Sequence, residues 1–222
     1  MNITHNILVF LIAIATIVLT TGNSVIAQRK FIGSREFSAG LYGKSEGVPW
    51  NERVRRVETV RETLDNGTVV KTVTTISEIV PKEGSRQYEK TVENGKTTEN
   101  ESILIDYMLY TRKNRGLWTK EDLRNSSVGA TGADAAGNYA CAQHSVESAF
   151  LNGMTVSLFE KFMVVTGDKG LDFFESRHWV GPDGVFYLGE EVQGKLNPRV
   201  ETSRTVSVYD YTPNIKIEAP IK

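Results

Sequence analysis

The stretch that decides the fold is residues 56–80, RVETVRETLDNGTVVKTVTTISEIV. Two segments rich in Val, Thr and Ile, interleaved with Glu, Lys and Arg, lie on either side of Asp65-Asn66-Gly67. That composition is typical of half-solvated strands, and Asn-Gly suits the positive-φ positions of a type I′ turn, whose twist matches the strands it joins. The stretch therefore predicts a long antiparallel hairpin.

The same pattern extends over residues 54–111 and returns in the last third of the chain. Asn94-Gly95 separates RQYEKTVE from KTTENESILI, and Pro182-Asp183-Gly184 separates FFESRHWV from VFYLGEEV, so each predicts a further hairpin. The predicted strands 69–80 and 200–212 exceed the usual five or six residues and carry charged or Thr side chains on at least one face. This favours a mainly β (α+β) fold with an open, curved antiparallel sheet, and a β-sandwich is the alternative.

Three segments do not follow this pattern. Residues 125–138, NSSVGATGADAAGN, are almost all small and predict a flexible loop. Residues 140–151 are the best candidate for a short helix ended by Asn152-Gly153, although they could equally begin a strand that continues into 154–165. Residues 28–51 contain five glycines or prolines and predict loop and strand, with no amphipathic helix.

The N-terminus predicts export. Residues 7–19, ILVFLIAIATIVL, form an uncharged apolar run as long as a signal-peptide h-region and shorter than the roughly 20 residues that span a bilayer. Small residues follow at the offsets of a cleavage site, which we predict after Ala27. A retained anchor or a buried helix is the alternative, because no Lys or Arg precedes the run. We expect 1–27 to be a signal peptide and 28–222 a single exported domain, periplasmic or extracellular.

The charged residues and the single thiol narrow the possible functions. The formal net charge is −1. The sequence contains no basic stripe that would bind nucleic acid or an anionic membrane. Cys141 is the only cysteine, and in a helix it would share a face with His144, three residues on. No third orienting residue is identifiable, so we predict no enzyme, and an exported hydrolase using Cys141 is the least favoured function. The histidine and cysteine spacings match no metal motif, no cofactor is predicted, and His178 is expected to face solvent.

The C-terminal motifs resemble a known family. The chain runs WVGPDGVFYLGEEV over 179–192 and RTVSVYDYTPNIKIEAPIK over 204–222, and upstream YMLYTR (107–112) precedes GLW (116–118). This order is similar to that of the periplasmic lipoprotein-carrier superfamily, which includes LolA-like carriers and mycobacterial lipid-carrier lipoproteins. The resemblance implies an incomplete antiparallel β-barrel, or half-barrel, with a few short helices and an apolar cavity for acyl chains.

The richest apolar region supplies the candidate site. In a sandwich its side chains would be ordinary core, whereas in a half-barrel they would line a pocket. Alternation along a strand puts Phe173 and Phe174 on opposite faces without showing which one points inward. The candidate ligand-binding residues are Phe159, Phe162, Met163, Phe173, Phe174, Trp179 and Phe186, with Tyr187 in the same region.

The predicted function is to bind a hydrophobic small molecule, such as the acyl chain of a lipid or lipoprotein that the chain carries. The alternative is a non-enzymatic sensor or protein-interaction module of the cell envelope on the same fold, whose partner would be another envelope protein.

Overall fold

The computed structural model describes residues 29–42, 55–125, 139–167, 170–211 and 214–221. The predicted signal peptide (1–27) and most of the predicted small-residue loop (126–138) lie outside these residues. A single turn of 3₁₀ helix spans Leu123–Asn125. The other elements, in chain order, are β1 (Lys30–Phe31), α1 (Ser34–Tyr42), β2 (Arg55–Asp65), β3 (Thr68–Val80), β4 (Gly84–Glu93), β5 (Lys96–Ile105), β6 (Met108–Lys113), β7 (Thr119–Asp122), β8 (Tyr139–Leu151), β9 (Met154–Gly167), β10 (Gly170–Val180), β11 (Phe186–Lys195) and β12 (Val200–Asp210).

The strands form one 12-stranded sheet in the order β1-β8-β9-β10-β11-β12-β2-β3-β4-β5-β6-β7. Each of these pairings is antiparallel, and the C-terminal strands join the N-terminal ones through β12 and β2. In the part of the chain that the structure describes, the end strands β1 and β7 do not pair with each other, so the sheet stays open. This confirms the predicted half-barrel fold class.

The predicted hairpins are present because their turns contain residues that adopt positive φ. Asn66 and Gly67 have φ of 49° and 81°, and Asn94 and Gly95 have 50° and 74°, the left-handed backbone of a type I′ turn. Gly184, with φ of 80°, lies between β10 and β11 as predicted.

Of the two interpretations of residues 140–151, the helix is wrong and the strand is right. β8 pairs with β9 from Tyr139↔Val165 to Leu151↔Met154, and Asn152-Gly153 forms the turn between them. The physical reason is tertiary, because the long partner strand satisfies the backbone groups of a segment whose own periodicity was ambiguous.

The prediction that residues 28–51 contain no helix is also wrong, because α1 spans Ser34–Tyr42. The amide of Phe37 donates to the carbonyl of Gly33 (2.9 Å), which begins the helix. Phe37 and Leu41 lie four residues apart on one helical face, and both are buried. Gly40, which lowers helix propensity, allows close packing: a Cβ there would lie 2.8 Å from the Phe159 ring.

The sheet has two faces with separate apolar clusters. Directly paired residues point to the same side, so one register row joins Val146, Phe159, His178, Gly189, Ser207 and Thr59 on the face covered by α1, called here the helix-side face. On this face the cluster consists of Phe37, Leu41, Phe159 and Val180. On the opposite face the cluster consists of Val80, Ile103, Tyr110 and Ile217.

Gly194 in β11 provides a test of the close contact between β11 and β12. A Cβ at this position would lie 2.0 Å from the carbonyl oxygen of Val200 and 2.8 Å from Cε1 of Phe173. We expect Gly194→Ala to lower the free energy of unfolding by about 2–3 kcal/mol, because the backbone of β12 would have to move. The measurement is urea denaturation.

Gly189→Ala in the same strand is the matched control for that prediction. A Cβ at Gly189 would meet its nearest atom, Nδ1 of His178, at an ordinary 3.5 Å. We expect a change within about 0.5 kcal/mol there. If both variants lost the same free energy of unfolding, the close contact at Gly194 would not be the reason that a glycine is required there.

Candidate functional site

The structure divides the candidate ligand-binding residues between the two faces of the sheet. Pairing with β8 and β10 places Phe159, Met163 and Phe174 on the helix-side face, and Phe186 packs against the cluster there. The register places the other candidates, Phe162, Phe173 and Trp179, on the opposite face. The predicted residues are neighbours in the sheet, but they do not line one common hollow.

On the helix-side face, α1 covers an apolar floor. Phe37 is 4% exposed and Leu41 is 1% exposed. The Phe37 ring meets the Phe159 ring edge-on, with 5.8 Å between centroids and an interplanar angle of 80°. Around this contact the floor is completed by Val180 and by the partly buried Ile32, Val146 and Phe186.

The opposite face of the same strands carries a continuous network of charged side chains. Glu160 accepts from Arg177 (3.1 Å), Arg177 donates to Glu190 (3.2 Å), and Glu190 accepts from Arg204 (2.8 Å). The network crosses β9 to β12, so it covers much of this face with ion pairs.

Phe173 belongs to the core of this opposite face. Its side chain is only 2% exposed, it stacks on Phe162 with 6.5 Å between centroids, and the Arg199 guanidinium lies 4.5 Å from its ring centroid. The neighbouring Phe174 is half-buried on the helix-side face, opposite Met163. Phe174 therefore lies on the side of α1, and Phe173 lies on the other side of the sheet.

His178 does not face solvent as predicted. It is half-buried on the helix-side face, where its ring meets that of Phe186 with 5.7 Å between centroids. Its Nδ1 is buried and has no hydrogen-bond partner within the described residues. Burial lowers the pKa of His178 below its ordinary value, because the charged imidazolium loses hydration.

The helical pair of Cys141 and His144 does not exist, because both residues lie in the strand β8. His144 instead contacts the Phe37 ring of α1, with 4.8 Å between ring centroids. Its pKa is lowered by burial and, to a smaller extent, by the positive charge of Lys161. Among the described residues, no group of three or more His, Cys, Asp or Glu side chains is placed to hold a metal ion.

Two open hollows lie elsewhere on the sheet. One, of about 580 Å³, is lined mainly by polar side chains of β4 to β7, including Gln87, Asn100 and Thr111. The other, of about 550 Å³, lies at the turns that include Asn66 and Pro198. Neither contains a candidate ligand-binding residue. Among the described helices, none combines the length and apolarity needed to cross a membrane.

The buried imidazole predicts a pH dependence of stability. The folded state binds a proton at His178 less readily than the unfolded chain, whose histidine has an ordinary pKa of about 6.5. The stability is therefore complete above about pH 6.5 and is lost as the pH falls from there to the lowered pKa of the folded state. We expect Tm to fall more steeply between pH 7.5 and 5 in the wild type than in His178→Phe.

Thermal unfolding across this range measures the effect. His144, whose pKa is also lowered, is present in both proteins, so the difference between the two profiles reports on His178. Parallel profiles would contradict the assignment of a buried, neutral imidazole.

The fold and the site together define a class: an open antiparallel half-barrel whose apolar floor is covered by one short helix. No family model and no curated protein matches the chain. Solved structures similar to it include LprF from Mycobacterium bovis, at 12% identity over 85% of this chain and 99% of that one, with a TM-score of 0.44. A LolA superfamily protein from Nitrosomonas europaea is 9% identical over 81% of this chain and 94% of that one, with a TM-score of 0.31.

A third similar structure is a domain from Vibrio parahaemolyticus named for outer membrane lipoprotein sorting. It is 11% identical over 82% of this chain and 93% of that one, with a TM-score of 0.24.

Proposed function

We propose that this chain is an exported, non-enzymatic protein that binds a long-chain hydrophobic ligand between α1 and the helix-side face of β8 to β11, and carries it. The observation that supports this most directly is the pairing of a short helix, held by two apolar side chains, with an aromatic floor on an open sheet. The floor consists mainly of hydrocarbon side chains, a chemistry that suits retention of a ligand rather than its conversion.

A bound ligand could displace α1 from the floor, because the ligand would bury more apolar surface there than the helix does. A nine-residue helix is too short to be stable alone in water, so α1 depends on its packing against the sheet. Burial of Phe37 and Leu41 supplies about 1.5–3 kcal/mol each. An acyl chain that buried about ten CH₂ groups on the same floor would gain about 8 kcal/mol, at about 0.8 kcal/mol per group. The ligand would therefore more than replace the contacts that α1 gives up.

Export of the carrier is supported by the apolar run at residues 7–19 and the small residues that follow it. Intact-mass analysis of protein from its native compartment should show a chain that begins at Gln28. Retention of residues 1–27 would mean a membrane anchor instead of a cleaved signal.

Ligand binding is tested by native mass spectrometry and lipid extraction of the purified wild type, followed by titration with a fluorescent fatty-acid probe. We expect a co-purified long-chain molecule and saturable uptake of the probe at micromolar concentration. A wild type that carries no lipid and takes up no probe would overturn the proposal. The sensor or protein-interaction module would then be the better interpretation of the fold.

A further inference from the structure

A small gap lies on the helix-side face next to the floor under α1. The register row there runs from Phe159 on β9 through His178 on β10 and Gly189 on β11 to Ser207 on β12. Gly189 has no side chain, and a Cβ at that position would lie 3.5 Å from Nδ1 of His178 and 3.9 Å from Cβ of Ser207. We call this gap the Gly189 notch.

Polar groups surround the notch on two sides. Nδ1 of His178 is buried without a hydrogen-bond partner within the described part of the chain, which is a costly state for a polar atom. On the other side, the hydroxyls of Ser207 and Thr59 lie 3.0 Å apart, and each retains further hydrogen-bonding capacity. His178 and Ser207 thus flank Gly189 from the two neighbouring strands, and Thr59 contacts Ser207 from the strand beyond.

We propose that the Gly189 notch holds the uncharged oxygen end, an ester carbonyl or an alcohol, of the hydrophobic ligand. This inference rests on the proposed function and names the class of ligand for that site. A chain that lies over Phe159, beneath α1, would have its polar end beside His178, the β10 partner of Phe159. Its oxygen would give Nδ1 the hydrogen bond that the protein itself does not supply.

The residues around the notch favour an uncharged group over a carboxylate. The direct register partners of Gly189 are an imidazole and a hydroxyl, His178 and Ser207, and no Lys or Arg is among them. The next register row on this face contains the charged residues Lys161, Glu191 and Arg61, which include both signs. A carboxylate in the notch would lose hydration without a dedicated cation in contact, whereas an ester or alcohol needs only hydrogen bonds.

The experiment compares ligands of one chain length that differ only at the end: the alkane, the alcohol, the methyl ester and the carboxylate. Each displaces a bound fluorescent fatty-acid probe from the full mature chain. For the wild type we expect the alcohol and the methyl ester to bind about tenfold more tightly than the alkane, since one hydrogen bond to a buried group has about this effect. The carboxylate should show no such advantage at pH 7.5.

Two variants and one control make the test specific to the notch. His178→Phe removes Nδ1 and Gly189→Ala fills the gap, so in both the alcohol and ester should bind only as well as the alkane. Ser203→Ala removes a hydroxyl from the same strand and face as Ser207 and should keep the wild-type preference. If His178→Phe fails to fold, Gly189→Ala still tests the proposal. This variant is expected to fold, because a Cβ at position 189 meets its neighbours at ordinary contact distances.

Failure of this inference is distinguishable from failure of the proposed function. If no chain of any kind displaces the probe because no probe binds, the proposed function is wrong and the inference falls with it. If all four ligands bind equally and the variants behave like the wild type, the proposed carrier function is retained and the proposed role of the Gly189 notch is wrong. Long-range ¹H–¹⁵N spectra provide an independent readout: the His178 Nδ1 resonance should shift with the alcohol and stay unchanged with the alkane.

Discussion

Replacing Phe37 and Leu41 together by Asp is expected to release α1 from the sheet and to raise the rate of fatty-acid probe entry by about a hundredfold or more. The two side chains are 4% and 1% exposed, and they form the apolar contact of α1 with Phe159 and Val180. Their burial contributes about 3–6 kcal/mol in total, which the variant loses, and each 1.4 kcal/mol corresponds to a factor of ten. Stopped-flow fluorescence measures the rate, and far-UV circular dichroism checks that the sheet remains.

The matched control is Ser38→Asp with Ala39→Asp, which adds the same two charges to α1 at exposed positions. The control should leave the rate of entry near that of the wild type, because its new carboxylates stay in water. If the double Asp variant took up the probe at the wild-type rate while its sheet remained folded, α1 would not be the cover of the site.

The second large effect separates two neighbouring phenylalanines. Phe173→Ala is expected to lower the free energy of unfolding by about 3–5 kcal/mol, because Phe173 is 2% exposed and its removal leaves a cavity next to Phe162. Phe174→Ala should cost less stability, because this side chain is only half-buried. For ligand affinity the order reverses: Phe174→Ala should weaken probe binding about tenfold, and Phe173→Ala should leave it unchanged.

Urea denaturation and probe titration on the same two proteins give both quantities, so each variant serves as the control of the other. Affinity that falls in Phe173→Ala and not in Phe174→Ala would place the ligand on the face opposite α1. Affinity unaffected by either change would remove the strands β9 and β10 from the binding site.

Local chemistry explains why much of the sheet could be predicted. Asn66-Gly67 and Asn94-Gly95 adopt left-handed backbone angles at little cost, so a hairpin follows from a few adjacent residues. Other turns offered no such signal: Asp106 and Tyr107 have φ of 49° and 65° without a glycine. There the pairing of the flanking strands determines the turn.

Helix α1 and strand β8 show where local signals mislead. Gly40 weakens the helical pattern of residues 34–42, but it is the residue that permits close contact with Phe159. Residues 140–151 fit a helix or a strand equally well by composition, and the pairing with β9 decides. For α1 the deciding partner, Phe159, lies far away in the sequence. For β8 the partner strand follows directly after Asn152-Gly153, but the pairing reaches out to Tyr139↔Val165, so its contribution to the free energy exceeds a short window.

The sequence by itself determined the antiparallel strands, their main turns and the apolar composition of β9 to β11, because backbone preference and alternation are properties of neighbouring residues. Only the tertiary structure decided which face α1 covers, and hence that Phe174 and not Phe173 lies on the side of the candidate site. Alternation along a strand defines two faces, but neither face is the buried one until another element packs against it. The Gly189 notch depends on tertiary structure in the same way, because Thr59, His178, Gly189 and Ser207 become neighbours only through the register of four strands.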